Sequence, residues 1–463
     1  MRPKPKMPTI EAYVEPLLVN FIDMDHPLVK LANIIDWDTI CDKLVDIYKD
    51  SKTGRPAKDI RLMVGIHYLK YTYNLSDEDV IAKWVENPYY QYFTGEETFQ
   101  RKFPTHPSNL TRFRKRLENK NLSDFLMETI KAGFMAGYLK EKDIQKVAVD
   151  TTVQEKNITF PTDIKLYYKM ILRLNRFCRM NDIKLHETFE RSGKSILRKY
   201  YGYSHAKQSK RASKMIFKMK SKMIKLYRSI DRVLSEELRN SDEFKKISDL
   251  YERLCVRDKD SKNKLYSLHA PEVECISKGK VNKRYEFGNK VGIVGTLNKN
   301  FILSCLSFHG NPYDGNTLNP NMEDAVRNVS LFGKIKMVLA DLGYRGKECI
   351  DGIKLQIVPK SLKKFSYTIR NLLKRRSCIE ATIGHTKRDN RMDKNYLKGE
   401  FGDRFNAVFA ACGHNLRMIL SFLAFFVIFF AEIIVLRVSG IVDLLKMVRG
   451  LFKIETKDLC FSR

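Results

Sequence analysis

Two short apolar runs, Val147-Ala148-Val149-Asp150 and Met337-Val338-Leu339-Ala340-Asp341, each end in an aspartate. Runs of this length read as buried strands. In open α/β sheets, ligand and catalytic groups gather at the carboxyl ends of strands, where the backbone turns away and leaves a crevice. Further strand text lies at Tyr285–Val294 and Phe301–Phe308, joined by a turn at Leu297-Asn298-Lys299-Asn300. A helical stretch from about Asn319 to Leu331 follows, then the Asp341 strand, then a short strand at Leu355–Val358 ended by Pro359. This order suits a mixed α/β sheet with helices.

Charge narrows the class of partner. The 463 residues carry 84 Lys+Arg against 54 Asp+Glu, a net charge of +30, which points to a polyanion. The excess is clustered. Residues 164–228 hold 19 Lys/Arg and 3 Asp/Glu, so +16, more than half the net charge of the chain. Apolar residues recur there at helical spacing (Leu166, Tyr167, Ile171, Leu174; then Met215, Met219, Met223, Leu226), giving an amphipathic basic insertion over about 164–265. A solvated coiled-coil face has the same pattern, but the charge density favours contact with nucleic acid.

Residues 1–140 are expected to form an all-helical domain. Pro56 opens a periodic apolar stretch through Leu62, Ile66 and Leu69, and Ser76 with Asp79 makes a capping box. Ser108 is expected to cap a basic helix, Thr111-Arg112-Phe113-Arg114-Lys115-Arg116. Helix, turn, helix and basic helix suggest a helix-turn-helix-like DNA reader, with an ordinary small bundle as the alternative. Nine scattered cysteines and the lack of a signal peptide fit a cytoplasmic protein. Cys412-Gly413-His414 is the closest Cys/His pair, and nothing completes a zinc set around it. The run Met418–Leu436 has one charge, Glu432, and is long enough to cross a bilayer. A helix packed on the catalytic domain is preferred, because Glu432 is costly in lipid and the run continues a helical pattern from Asn406. Residues 421–463 are assigned to this hydrophobic helix and a tail.

Glu380 stands in Arg376-Ser377-Cys378-Ile379-Glu380-Ala381-Thr382-Ile383-Gly384-His385-Thr386-Lys387. On a helix, Arg376, Glu380, Gly384 and Lys387 share one face. Two strand-end aspartates and a helical glutamate offer the all-oxygen donor set that suits Mg²⁺ or Mn²⁺. Two such ions, about 3.5–4 Å apart, assist in-line displacement at phosphorus. Arg345, in the glycine-flanked turn Gly343-Tyr344-Arg345-Gly346, is placed to meet a phosphate.

These motifs together resemble the DDE transposases of bacterial insertion sequences, in the broad group containing the insertion sequence "five" and "four" families. The matching text is Val149-Asp150-Thr151-Thr152, Gly279-Lys280 through Lys290, Gly310-Asn311-Pro312-Tyr313-Asp314-Gly315, Asp341–Gly346 and Arg376–Lys387, within about residues 27–420. The resemblance implies an RNase H-like core over 141–420, with Asp150 on its first strand, Asp341 after its fourth and Glu380 on a later helix. Asp150, Asp341 and Glu380 are the implied catalytic and metal-binding residues. Tyr344, Arg345, Arg376 and Lys387 are the expected DNA contacts. The family signature Tyr-(2)-Arg-(3)-Glu-(6)-Lys is met at Arg376, Glu380 and Lys387, with Leu373 in the tyrosine position. Members of the group often place a large insertion between the second aspartate and the glutamate, where only 38 residues intervene here.

The expected function is metal-dependent DNA strand cleavage and strand transfer at the ends of an insertion sequence. Two Mg²⁺ (or Mn²⁺) ions would serve as cofactors. Partners would be double-stranded DNA, as terminal inverted repeats and target, and a second copy of the chain in a homodimer on DNA. No membrane partner is favoured. The alternatives are an RNase H-like nuclease without strand transfer and an inactive DNA-binding relic of a mobile element.

Overall fold

A computed structural model describes residues 16–48, 56–256, 264–277, 284–350, 352–359, 361 and 366–425. Gly279-Lys280 and the part of the hydrophobic run after residue 425 lie outside them.

The N-terminal region is helical: α1 (Pro27–Ile34), α2 (Trp37–Leu44), α3 (Ile60–Thr72), α4 (Asp77–Glu86), α5 (Pro88–Phe93), α6 (Pro107–Arg116) and α7 (Ser123–Met135). The capping box at Ser76 and Asp79 forms as expected. Two helix starts differ from expectation. Helix α3 begins at Ile60, because the Asp59 side chain accepts from Leu62 N–H and residues 56–59 stay outside the helix. Helix α6 is capped by His106, whose Nδ1 accepts from Ser108 N–H, with Pro107 in the first-turn position that needs no donor. Helix, turn and helix follow as α3 and α4, and α5 with residues 94–106 stands between them and the basic helix α6.

The sheet is built from β1 (Lys146–Lys156), β2 (Glu274–Ile276), β3 (Glu286–Thr296), β4 (Ile302–Phe308), β5 (Met337–Ala340), β6 (Lys354–Ile357) and the two-residue β7 (Lys394–Asn395). Strand β3 runs antiparallel to β1 and pairs with both β2 and β4, while β5 and β6 continue the sheet in parallel on the other side of β1. The principal strands therefore lie in the order β4-β3-β1-β5-β6. This is an RNase H-like mixed sheet, with β2 as a short addition before the hairpin.

Between β1 and β2 the chain leaves for α8 (Asp163–Met180), α9 (Glu190–His205), α10 (Ser209–Val233) and α11 (Asp242–Cys255). These helices have their own core, drawn from Ile164 to Leu268. Met215, Met219, Met223, Leu226 and Ile230 of α10 are buried, whereas Arg211, Lys214, Lys218, Lys225 and Arg228 are not. Apolar spacing thus folds the insertion and leaves its charge outside.

After the sheet hairpin come α12 (Leu318–Val329, between β4 and β5), α13 (Tyr367–Lys374), α14 (Cys378–Asp389) and α15 (Gly399–Phe425). By length and apolarity α15 passes as a membrane span, but Phe405, Phe409, Cys412, Leu416 and Ile419 are core residues. One continuous core joins the N-terminal helices, the sheet and α15. The contact between α3 and α15 is close. A Cβ on Gly413 would stand 2.5 Å from the Tyr71 carbonyl carbon, and Tyr71 Oη donates to Asn406 Oδ1 at 2.9 Å.

Candidate active site

Asp150 is not at the end of its strand. β1 continues through Thr151-Thr152-Val153-Gln154-Glu155-Lys156, and Asp150 stays paired with Ile293 of β3. What ends near Asp150 is the parallel pairing with β5, whose last partners are Ala148 and Leu339. Two residues beyond those partners stand Asp150 and Asp341, level with each other where β1 and β5 part. The two aspartates are brought side by side not by two strand ends but by one strand stopping beside another that continues.

Helix α14 brings the third carboxylate. Ile379 is fully buried, and its Cδ1 lies 3.0 Å from the point a Cβ on Gly295 of β3 would occupy. That anchor fixes the first turn of α14 and leaves the neighbouring Glu380 side chain 62% exposed. Leu373, in the signature's tyrosine position, is buried in the core, where a hydroxyl would need a partner.

The three carboxylates meet on one cation. Arg376 Nη2 donates to Asp150 Oδ2 at 2.9 Å and lies 3.8 Å from Asp341 Oδ2. Its Nη1 donates to Glu380 Oε1 at 3.2 Å. The other oxygen of each aspartate accepts a backbone N–H, Thr151 N at 2.7 Å for Asp150 and Gly343 N at 2.9 Å for Asp341. Both Oδ2 atoms are thereby turned toward the guanidinium. Among the described residues, no three His, Cys, Asp or Glu side chains converge on one point closely enough for a metal ion. The donor chemistry nevertheless fits one: three carboxylates from β1, the turn after β5 and α14 surround a single positive group, with only hard oxygen ligands among them.

The residues expected to touch DNA are placed unequally. Arg345 is exposed on the turn after Asp341, and Lys387 is half-buried on α14. Arg376 has a 16% exposed side chain and faces the carboxylates. Tyr344 is buried and belongs to the core. Its hydroxyl is held well above the usual phenol range, first by burial and then by the negative charge of Asp150, with Asp314 and Asp341 adding to it. On the basic helix α6, Arg112, Lys115 and Arg116 are exposed and Arg114 is not. Arg114 is buried and donates to both oxygens of Asp77, at 3.0 and 2.7 Å.

Asp314 joins the site although sequence reasoning places it only in the Gly310–Gly315 motif and gives it no role. It accepts from Thr151 Oγ1 at 2.8 Å and from Lys290 Nζ at 2.9 Å. It thereby braces β1 next to Asp150. Its place after the helix breakers Gly310 and Pro312 is the available signal, but the same text suits any turn.

Residues 17–116 match the family described as Transposase domain (DUF772), and residues 267–416 match the family Transposase DDE domain. The second match takes in Asp341 and Glu380 and begins beyond the insertion, so it does not reach Asp150. The chain is 40% identical over 187 residues to "Uncharacterized protein ORF8 in nfe locus" of Rhizobium meliloti, across 40% of this chain and 89% of that relative. No solved structure matches.

Proposed function

The chain belongs to the DDE transposases, and from that membership we propose that it cleaves DNA at the ends of an insertion sequence and joins the freed ends to target DNA. Asp150, Asp341 and Glu380 are the proposed catalytic carboxylates. The observation that carries this is their convergence on Arg376 from three separate elements, over 226 residues of sequence in the case of Asp150. Like charges brought this close need a cation among them, which supports reading the three as a cation-binding set.

Asp150, Asp341 and Glu380 would hold divalent Mg²⁺ or Mn²⁺, as the family generally requires, proposed here as two ions. Such ions, when bound, stabilise charge on the attacking and leaving oxygens of an in-line displacement. The chain's own residues supply the rest. β1 and the turn after β5 hold Asp150 and Asp341 level, and the buried Ile379 sets the position of Glu380. Arg345 and Lys387 are proposed to grip phosphate oxygens beside the carboxylates. The exposed basic side chains of α9 and α10 are proposed to follow the duplex backbone, with the helical N-terminal region (1–140) as a further DNA-binding part. A homodimer on DNA, one protomer per element end, completes the proposal.

Incubating the protein with tagged element ends, a supercoiled plasmid and Mg²⁺ tests it. Joined products support strand transfer, whereas nicked ends that never join reduce the activity to that of a nuclease.

A further inference from the structure

We propose that Arg376 is the resident counter-ion of the three carboxylates and competes with the divalent cation for them, so that loading the site releases its guanidinium toward DNA. This rests on the reading of Asp150, Asp341 and Glu380 as metal ligands. Three features of the structure carry it.

The first is occupancy of the same atoms. Oδ2 of Asp150 and Oδ2 of Asp341 both face Nη2 of Arg376, at 2.9 and 3.8 Å, and Oε1 of Glu380 faces Nη1 at 3.2 Å. Since the remaining oxygen of each aspartate accepts a backbone N–H, the oxygens turned to Arg376 are the ones presented to any other cation. A metal ion brought to these oxygens would meet the guanidinium there and be repelled by its charge.

The second is incomplete satisfaction. Arg376 Nε is buried and has no acceptor among the described residues. A guanidinium has five donors in a fixed fork, and here the outer two nitrogens engage the carboxylates while the inner one is stranded.

The third is the joint it sits on. Arg376 lies in a single 3-10 turn, Arg375–Ser377, between α13 and α14. Its side chain can leave the carboxylates while Ile379 keeps α14 in place. The Glu380 pair, at 62% exposure of the carboxylate, is the weakest of the three to surrender. Once released, a planar, permanently charged fork beside the carboxylates is suited to bidentate contact with a phosphate.

The alternative is a static clamp, in which Arg376 merely orients the carboxylates. Loss of the positive charge favours cation binding in either case, so the charge-keeping Arg376→Lys separates the two accounts: weakening a competitor's grip tightens binding, whereas loosening a clamp lets three like charges splay apart and weakens it.

The test is Mn²⁺ binding to the full chain without DNA, followed by electron paramagnetic resonance of the free ion, for wild type, Arg376→Gln, Arg376→Lys and Asp150→Asn. The competitor account predicts R376Q to bind Mn²⁺ about tenfold more tightly than wild type. R376K should fall between them, because a lysine keeps the charge but cannot bridge three carboxylates. R376K decides between the accounts by binding more tightly than wild type, and it does so whether or not R376Q folds, as judged by circular dichroism. Equal or weaker binding by either folded variant overturns the proposal. Unchanged Mn²⁺ affinity in D150N shows instead that these carboxylates are not the metal ligands, which removes the underlying reading and this inference with it.

Discussion

Asp150 and Arg376 are paired at 2.9 Å across 226 residues of sequence, through Oδ2 and Nη2. That pair links the sheet to the turn preceding α14 and draws Glu380 and Asp341 to the same centre. It also means that the arginine expected to contact DNA stands, in this structure, where the carboxylates need a positive charge.

A buried charge network lies at the C-terminal end of β1. Lys156 Nζ is 2.6 Å from Asp403 Oδ1 and 2.8 Å from Glu272 Oε1, and all three side chains are buried. Burial raises the Asp403 carboxyl above the usual range, with Lys156 opposing that shift. Lys156→Met leaves two buried carboxylates without their cation and is expected to cost about 3–5 kcal/mol in urea unfolding. The double variant Lys156→Met, Asp403→Asn should recover part of that loss.

His67 is fixed as neutral imidazole. Its Nδ1 donates to Met63 O at 2.7 Å, and Nε2 accepts from Arg114 Nη1 at 3.3 Å, which a protonated ring cannot do. Burial, and then the nearby Arg114 charge, lower its pKa from 6.5 to about 3. The unfolded chain therefore binds a proton that the folded chain refuses. The stability this group contributes is present in full above pH 6.5 and declines as the pH falls toward 3. The limiting slope is about 1.4 kcal/mol per pH unit for such a histidine. Urea midpoints between about pH 7 and pH 5 should fall less steeply in His67→Gln than in wild type.

Two glycines of the C-terminal helices should respond oppositely to alanine. At Gly413 the new Cβ meets the Tyr71 backbone at 2.5 Å, so Gly413→Ala should destabilise by about 1–3 kcal/mol. At Gly384 a Cβ meets nothing within 4 Å, and Gly384→Ala should stabilise the helix by up to about 1 kcal/mol. If DNA approaches this face of α14, the same Gly384→Ala variant binds duplex more weakly despite its higher thermal midpoint.

On α10, Arg211, Lys214 and Lys218 form an exposed row spaced by three and four residues. Replacing all three with glutamine should reduce the log–log salt slope of duplex binding by about 0.9 for each phosphate that is no longer neutralised. Because these side chains lie outside the insertion core, the thermal midpoint should stay within about 2 °C of wild type.

Much of this architecture is legible in the chain because it rests on local periodicity. The apolar runs at 147–149 and 337–340 mark the two central strands, and the Met/Leu spacing of 215–226 shows that the basic segment is helical. The two misplaced helix starts have local causes, in the caps Asp59 and His106, and the other differences involve a distant partner. Asp150 reads as a strand end because polar text follows it, yet pairing with β3 carries the strand on toward Lys156. Arg114 reads as part of a free basic face, and its burial depends on Asp77 of another helix. Tyr344 sits in a glycine-flanked turn, text that usually marks surface, but the turn folds back over the core. Spacing alone puts Arg376 beside Glu380 four residues on. Nothing local shows that Asp150 and Asp341 close around the same guanidinium.

Single-turnover cleavage of a duplex carrying the element end, in Mg²⁺, by wild type, Asp150→Asn, Asp341→Asn and Glu380→Gln, with duplex affinity measured alongside, tests whether the three carboxylates are catalytic. Each variant is expected to lose cleavage by at least about a thousandfold while binding the duplex within a few-fold of wild type. Cleavage at near wild-type rate by any folded variant would contradict that role.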